Sequence, residues 1–260
     1  MDKLGGEMNF AIETKGLTRR FGAVCAVDGL DLQVERGKFY GFLGPNGAGK
    51  STTIKMLTGL LAPTGGSMSI LGQDLAVMDK AREIKRRIGV VPENLALFDN
   101  LTAREYLTFI GRMYLLPLAT VRERSQELLT MMSLQNEEKK LTLEYSHGMK
   151  KKLALAAALI PNPDLLFLDE PFEGVDAVAS LVLRDVLKRC VERGGTVFLT
   201  SHVLEIVEKL CTDVGIIAKG KLVYQGTMAQ AHESGSLEQI FIKAVGGDMQ
   251  ESQKLSWLEG

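Results

Sequence analysis

The sequence predicts an α/β fold of buried, largely parallel strands with an α-helical block inserted into it. Three observations carry that prediction. Residues 44–51 read Gly44-Pro45-Asn46-Gly47-Ala48-Gly49-Lys50-Ser51, which satisfies G-x-x-x-x-G-K-[S/T] between an apolar run at 39–43 and a helix-like stretch from Thr52. Several further runs are short, apolar and bounded by Gly, Pro or Asp, the pattern of strands buried on both faces. From Thr102 to Ile160 the strand signal almost vanishes.

In chain order, strand-like runs fall at 10–17, 24–34, 39–43, 67–71, 88–91, 165–168, 196–200, 214–218 and 221–224. The middle carries helical periodicity at 103–115, 119–132 and 147–160, separated by Pro117 and by residues 136–140. Asp99, Thr102 and Arg104 read as a helix cap. Strands resume at Leu165, after the Pro161-Asn162-Pro163 break. A short amphipathic helix is expected at 237–245, and residues 246–260 read as a mobile tail in which Trp257 and Leu258 can dock.

Composition excludes several classes. The 260 residues suffice for a sizeable core. With 31 Lys+Arg against 32 Asp+Glu, the chain has no charge excess that would mark a nucleic-acid binder. The longest apolar run, residues 153–160, is far short of the roughly 20 residues that span a bilayer. The first residues lack the apolar core of a signal peptide. Cys25, Cys190 and Cys211 are widely spaced, with no metal-ligand pattern. The expectation is a reduced, soluble, cytoplasmic protein whose contact with a membrane comes through a partner.

The chemistry follows from the loop. Glycines let backbone N–H groups turn inward onto phosphate oxygens, so Gly44, Asn46, Gly47, Ala48 and Gly49 form a cradle. A helix opening at Lys50 adds about half a positive charge at its N-terminus, close to Ser51 and Thr52. Lys50 is expected on the β- and γ-phosphates and the Ser51 hydroxyl on Mg²⁺. Residues 165–170 are four apolar residues followed by two acids, a buried strand that delivers carboxylates beside the loop. Asp169 is the candidate second Mg²⁺ ligand, and Glu170 the candidate base that polarises the attacking water. His202 follows another strand out of the core and can hold the γ-phosphate, the water and Glu170 in register.

Taken together, these motifs resemble the nucleotide-binding subunit of ATP-binding-cassette (ABC) transporters over residues 8–235. Residues 145–150 (Tyr-Ser-His-Gly-Met-Lys) resemble the family's signature loop, residues 173–176 (Glu-Gly-Val-Asp) its D-loop, and residues 90–93 (Val-Val-Pro-Glu) its Q-loop. Phe21 stands where the family places an aromatic ring against adenine. The resemblance implies a P-loop NTPase (RecA-like) core with a mixed sheet, an antiparallel β subdomain and an inserted α-helical subdomain. The core would take 8–93 and 161–235, the helical subdomain 94–160, and a C-terminal helix and tail 236–260. It implies ATP and Mg²⁺, the latter held by Ser51, Glu93 and Asp169.

The resemblance also implies two cassettes paired head to tail, a homodimer by expectation. Ser146, His147, Gly148 and Met149 of one would press on the γ-phosphate held by the other, and Asp176 would complete the D-loop contact. The load would be an integral membrane permease docked against residues 94–106, where Leu97, Phe98, Leu101 and Tyr106 offer an apolar surface. The protein would then lie peripherally on the inner face of the membrane, and no nucleic acid is implied. The wording of the Q-loop and signature loop looks most like exporter cassettes. The alternative is a soluble, non-transport ABC ATPase, such as one of iron–sulfur cluster assembly; a P-loop kinase outside the family is a further rival.

This chain departs from the family at three places. Glu93 replaces the usual Gln and adds negative charge near the γ-phosphate. His147 replaces the first signature glycine, and Glu173 and Val175 alter the D-loop wording while Asp176 is kept. Competing readings place Phe21 in core packing, Lys150-Lys151-Lys152 on a solvated helix face, and Met131-Met132 in a helix core.

Overall fold

The structure, a computed structural model, describes residues 10–75, 78–233 and 235–245. The tail reading for 246–260, with Trp257 and Leu258, lies outside the described residues.

Two sheets organise the chain. The first is antiparallel: β1 (Phe10–Phe21) lies between β2 (Val24–Leu30) and β5 (Gly65–Ile70), with β6 (Gln73–Asp74) beyond β5 and β3 (Gln33–Glu35) also pairing with β1. The run 24–34, expected as one strand, is therefore two. Gly29 turns to φ +63°, the Thr14 hydroxyl donates to the Leu30 carbonyl at 2.7 Å and accepts from the Leu32 N–H at 2.9 Å, and the Asp31 carboxylate accepts from the Gly16 N–H. A side chain substituting for the ladder breaks the strand.

The second sheet contains β4 (Phe39–Leu43), β7 (Ile88–Val91), β8 (Leu165–Asp169), β9 (Thr196–Ser201), β10 (Asp213–Ala218) and β11 (Lys221–Thr227), in the order β11-β10-β4-β9-β8-β7. All its pairings are parallel except β10–β11. Its period-2 alternation feeds two cores. Phe39, Leu43, Val197 and Leu199 face one; Tyr40, Phe42, Phe167 and Phe198 face the other. Phe198 is the centre of the second, stacked on Tyr40 with ring centroids 5.5 Å apart and touching Phe42 and Phe167. Burying each such side chain contributes about 1.5–3 kcal/mol.

Register sets up the site. Leu43 pairs with Ser201, and Asp169 with Thr200, so β4, β8 and β9 end level with one another. Whatever follows those strands emerges at one carboxyl edge, where open α/β sheets bind ligands.

The inserted block is α3 (Ala103–Met113), α4 (Leu118–Met131) and α5 (His147–Leu159). Thr102 caps α3 as expected, in a capping box with Glu105. Asp99 and Arg104 do not cap: Asp99 faces Lys150, and Arg104 bonds Gln126 and Glu138. Met132 is buried, but Met131 is 41% exposed. The solvated face expected for Lys150–Lys152 is overturned at Lys151 and Lys152, while Lys150 is half-buried. Lys151 is 2% exposed and Lys152 9%, because α5 runs through the middle of the block against α3, α4 and α6 (Ala177–Glu192).

The remaining helices are α1 (Lys50–Leu57), α2 (Met78–Arg87), α7 (Leu204–Leu210), α8 (Met228–Glu233) and α9 (Leu237–Val245). Helix α9 was expected; α2, α6, α7 and α8 were not. In α6 the signal was available: Asp176 as N-cap, then buried residues at 179, 183, 186, 187 and 190. No described helix is long and apolar enough to cross a membrane.

Candidate nucleotide site

Loop 44–49 leaves β4 and enters α1. Its glycines are dictated by crowding: a Cβ on Gly44 would lie 2.5 Å from the Ile217 carbonyl oxygen, and one on Gly49, at φ +109°, 2.5 Å from the Ala26 carbonyl oxygen. The loop carries its own internal bonds, Ala48 N–H to the Pro45 carbonyl and Lys50 Nζ to the Gly44 carbonyl at 2.7 Å. Lys50 is 6% exposed, and its Nζ also lies 3.3 Å from Glu170 Oε1.

Asp169 and Glu170 end β8. Thr200, fully buried on the neighbouring strand, donates its hydroxyl to Asp169 Oδ1 at 2.6 Å and accepts from the Glu170 N–H at 3.1 Å. Glu170 has φ +47°, in the left-handed region. Its Oε1 lies 3.1 Å from His202 Nδ1 as well as near Lys50, without an aligned hydrogen bond to either. Ser51 Oγ donates to Glu93 Oε2 at 3.4 Å.

These groups enclose a cavity of about 250 Å³ lined by Asn46, Gly47, Gly49, Lys50, Ser51, Thr52, Glu93, Glu170 and His202. Ala26, Pro45 and Glu173 complete the lining. Gly44 and Ala48 stand behind it as scaffold, Ala48 with its carbonyl on the Gly220 N–H. Asp169 lies beneath Glu170, tied to Thr200. Phe21 does not line the cavity: it ends β1, 46% exposed, with the Arg19 guanidinium 4.5 Å from its ring centre. That exposure also excludes core packing for Phe21.

The loop 146–149 does not line this cavity either. Ser146 caps α5, accepting from the Met149 N–H at 3.3 Å, and Asp176 caps α6, accepting from the Ala179 N–H at 2.9 Å. The two helix starts are in contact: Gly148 packs against the Asp176 carboxylate and the His147 ring against Gly174, with His147 Nε2 3.3 Å from the Glu173 carbonyl oxygen. His147 lies within the helix start, so no positive φ is required of it.

Two residues that sequence reasoning passed over matter here. Thr200 was read only as the end of a strand. Lys151 was assigned to the surface, yet its Nζ donates to the Glu170 carbonyl at 3.0 Å. Burial pulls the Lys151 ammonium below its ordinary pKa, against the opposing pull of Glu173, Asp169, Glu93 and Glu170.

The donor set fits Mg²⁺. Among the described residues no three His, Cys, Asp or Glu side chains converge as a self-sufficient metal cage. Ser51 and Glu93, in contact, and Asp169 at the end of β8 are hard oxygen donors, suited to an ion that completes its shell with phosphate and water.

The ABC transporter family model matches residues 27–173. The chain is 40% identical over 224 residues to the daunorubicin/doxorubicin resistance ATP-binding protein DrrA of Streptomyces peucetius, covering 86% of this chain and 67% of that protein. It is 41% identical over 219 residues to the bacitracin transport ATP-binding protein BcrA of Bacillus licheniformis, covering 83% and 69%. A solved ATP-binding subunit of an ABC transporter superposes with a TM-score of 0.82 at 30% identity, over 90% of this chain and 99% of that one. With the phosphate loop, the acid pair and His202 gathered at one sheet edge, the chain belongs to the ABC transporter family as an ATP-binding, ATP-hydrolysing subunit.

Proposed function

We propose that the cavity holds the triphosphate of ATP and that its hydrolysis powers export through a separate membrane permease. The observation that carries this is the convergence of Lys50, Ser51, Glu93, Glu170 and His202 on one cavity from four separated stretches of chain. Backbone N–H groups of 46–51 wrap the β- and γ-phosphates, and Lys50 supplies positive charge there. Glu170 orients the attacking water and takes its proton as the water oxygen bonds to the γ-phosphorus and ADP departs. His202 holds the Glu170 carboxylate and donates to the γ-phosphate. Ser51, Glu93 and Asp169 would hold Mg²⁺, which neutralises charge on the transferring phosphate. Phe21, exposed on β1, takes the adenine.

The cassette in this reading occupies 8–235 and works as a head-to-tail pair, two copies of this chain. Ser146, His147, Gly148 and Met149 complete the site of the opposite copy, with Asp176 beside them. Support comes from their position: they lie outside their own chain's cavity, and Ser146 and His147 are exposed at the N-terminus of α5. A transferring phosphoryl group needs further donors as its charge spreads, and a single loop cannot surround it.

The permease docks on the helical block. Of the four apolar residues expected on that surface, Phe98 is exposed; Tyr106 is buried, and Leu97 and Leu101 pack partly inward. The exposed ridge is instead Phe98 with Phe109, edge to face at 5.2 Å, beside Leu118. This arrangement puts the protein on the cytoplasmic face of the membrane. The names of DrrA and BcrA favour export of drug-like compounds over the iron–sulfur alternative.

Two measurements test the reading. In purified protein, Glu170→Gln should keep ATP binding while kcat falls by about 10²–10⁴-fold; normal turnover removes Glu170 as the base. Capture of the tagged chain from detergent-solubilised membranes should recover a multi-span protein, and recovery of soluble partners only contradicts the transport role.

A further inference from the structure

Lys151 sits one turn into α5 and is almost wholly enclosed. Burying an ammonium is costly unless it is paired and hydrogen-bonded. Its Nζ is committed to one main-chain acceptor, the Glu170 carbonyl at 3.0 Å. On the other side of the same residue, the Glu170 N–H is held by Thr200 Oγ1 at 3.1 Å. Glu170 is a non-glycine residue at φ +47°, a strained conformation that persists only when its surroundings over-determine it. Its carboxylate, in contrast, makes no aligned hydrogen bond through Oε1.

The same end of α5 holds the far end of this segment. His147 lies one turn before Lys151, with Nε2 3.3 Å from the Glu173 carbonyl oxygen. A Cβ on Gly174 would stand 3.1 Å from the His147 ring, and one on Gly148 would stand 3.2 Å from Asp176 Oδ2. The first turn of α5 therefore grips residues 170–176 at both ends.

We infer that Lys151 is a positioning residue for ATP hydrolysis: by holding the Glu170 main chain in its left-handed conformation, it aims the Glu170 carboxylate across the cavity. The inference rests on the reading of Glu170 as the base. It makes α5, which carries the 146–149 loop at its tip, also the element that aligns its own chain's carboxylate.

The test is steady-state MgATP hydrolysis by the full chain, with nucleotide binding measured separately. Lys151→Met keeps the apolar stem and removes the donor. It should lower kcat by roughly 10–100-fold, the scale for a misplacement of about 1 Å, while KM for ATP stays within about threefold. Lys151→Arg, which keeps a charged donor, should recover most of the loss. In the Glu170→Gln background, adding Lys151→Met should change the residual rate by less than about threefold, because both act through one group. Should Lys151→Met fail to fold, Lys151→Leu, which also removes the donor while keeping an apolar stem, carries the same comparison. Unchanged kcat in the folded variant, or a full additional loss in the double mutant, overturns the inference. Normal turnover by Glu170→Gln alone instead removes the base assignment, and with it the premise.

Discussion

The phosphate loop and the segment from Glu170 to Asp176 stand on the same edge of one sheet, yet they are held by different means. The loop is tied internally by the Ala48–Pro45 bond and the reach of Lys50 back to Gly44, both within a few residues, and its glycines admit the close approach of the Ala26 and Ile217 carbonyls. The Glu170 segment is shaped from a distance, by Lys151 19 residues before it and Thr200 30 residues after it. The groups that recognise phosphate thus lie in one contiguous loop braced within the core, whereas alignment of the hydrolytic carboxylate depends on packing between the helical block and the core. Damage to the first should weaken binding; damage to the second should spare binding and slow the chemistry.

Lys50→Ala tests the local side and should have the largest effect. Loss of a buried charged hydrogen-bonding group should weaken ATP binding by about 1.5–3 kcal/mol, and turnover should fall to background. Calorimetric titration showing wild-type affinity would break the contrast. Thr200→Val tests the distant side without touching the cavity. It leaves the Asp169 carboxylate and the Glu170 N–H without their buried partner, which should cost about 1–3 kcal/mol of stability. ATP affinity should be kept while kcat falls, and Thr200→Ser should restore both melting temperature and rate. Equal losses of binding and rate in Thr200→Val would mean that the two regions are not separable. Phe21→Ala should have the smallest effect. An exposed ring that already carries Arg19 offers adenine about 0.5–1.5 kcal/mol, so ATP affinity should drop severalfold with kcat nearly unchanged. An unchanged dissociation constant removes Phe21 from the site.

The same division explains what could be read from the chain. Residues 44–51 are contiguous, and their chemistry needs only a strand before and a helix after, both of which periodicity supplies. Asp169, Glu170 and His202 were legible because each ends a short apolar strand, and the register brings those ends level. The Lys151 contact was not legible. Three consecutive lysines carry the signature of a solvated helix face, and only the three-sided packing of α5 turns two of them inward. Thr200 was hidden for the related reason that a strand-end threonine gives no sign of the acid it will face. The break at Asp31 and the helices α2 and α6–α8 were missed where tertiary contacts and capping decide the backbone, as at Thr14 and Asp176.

The head-to-tail pair is the claim on which the export cycle turns, and light scattering on purified Glu170→Gln protein tests it most directly. With MgATP present the protein should elute with the mass of two chains, and with ADP or no nucleotide as one, since ATP bound between two surfaces favours the closed pair by mass action. A single-chain mass at saturating MgATP, with nucleotide demonstrably bound, would contradict the account.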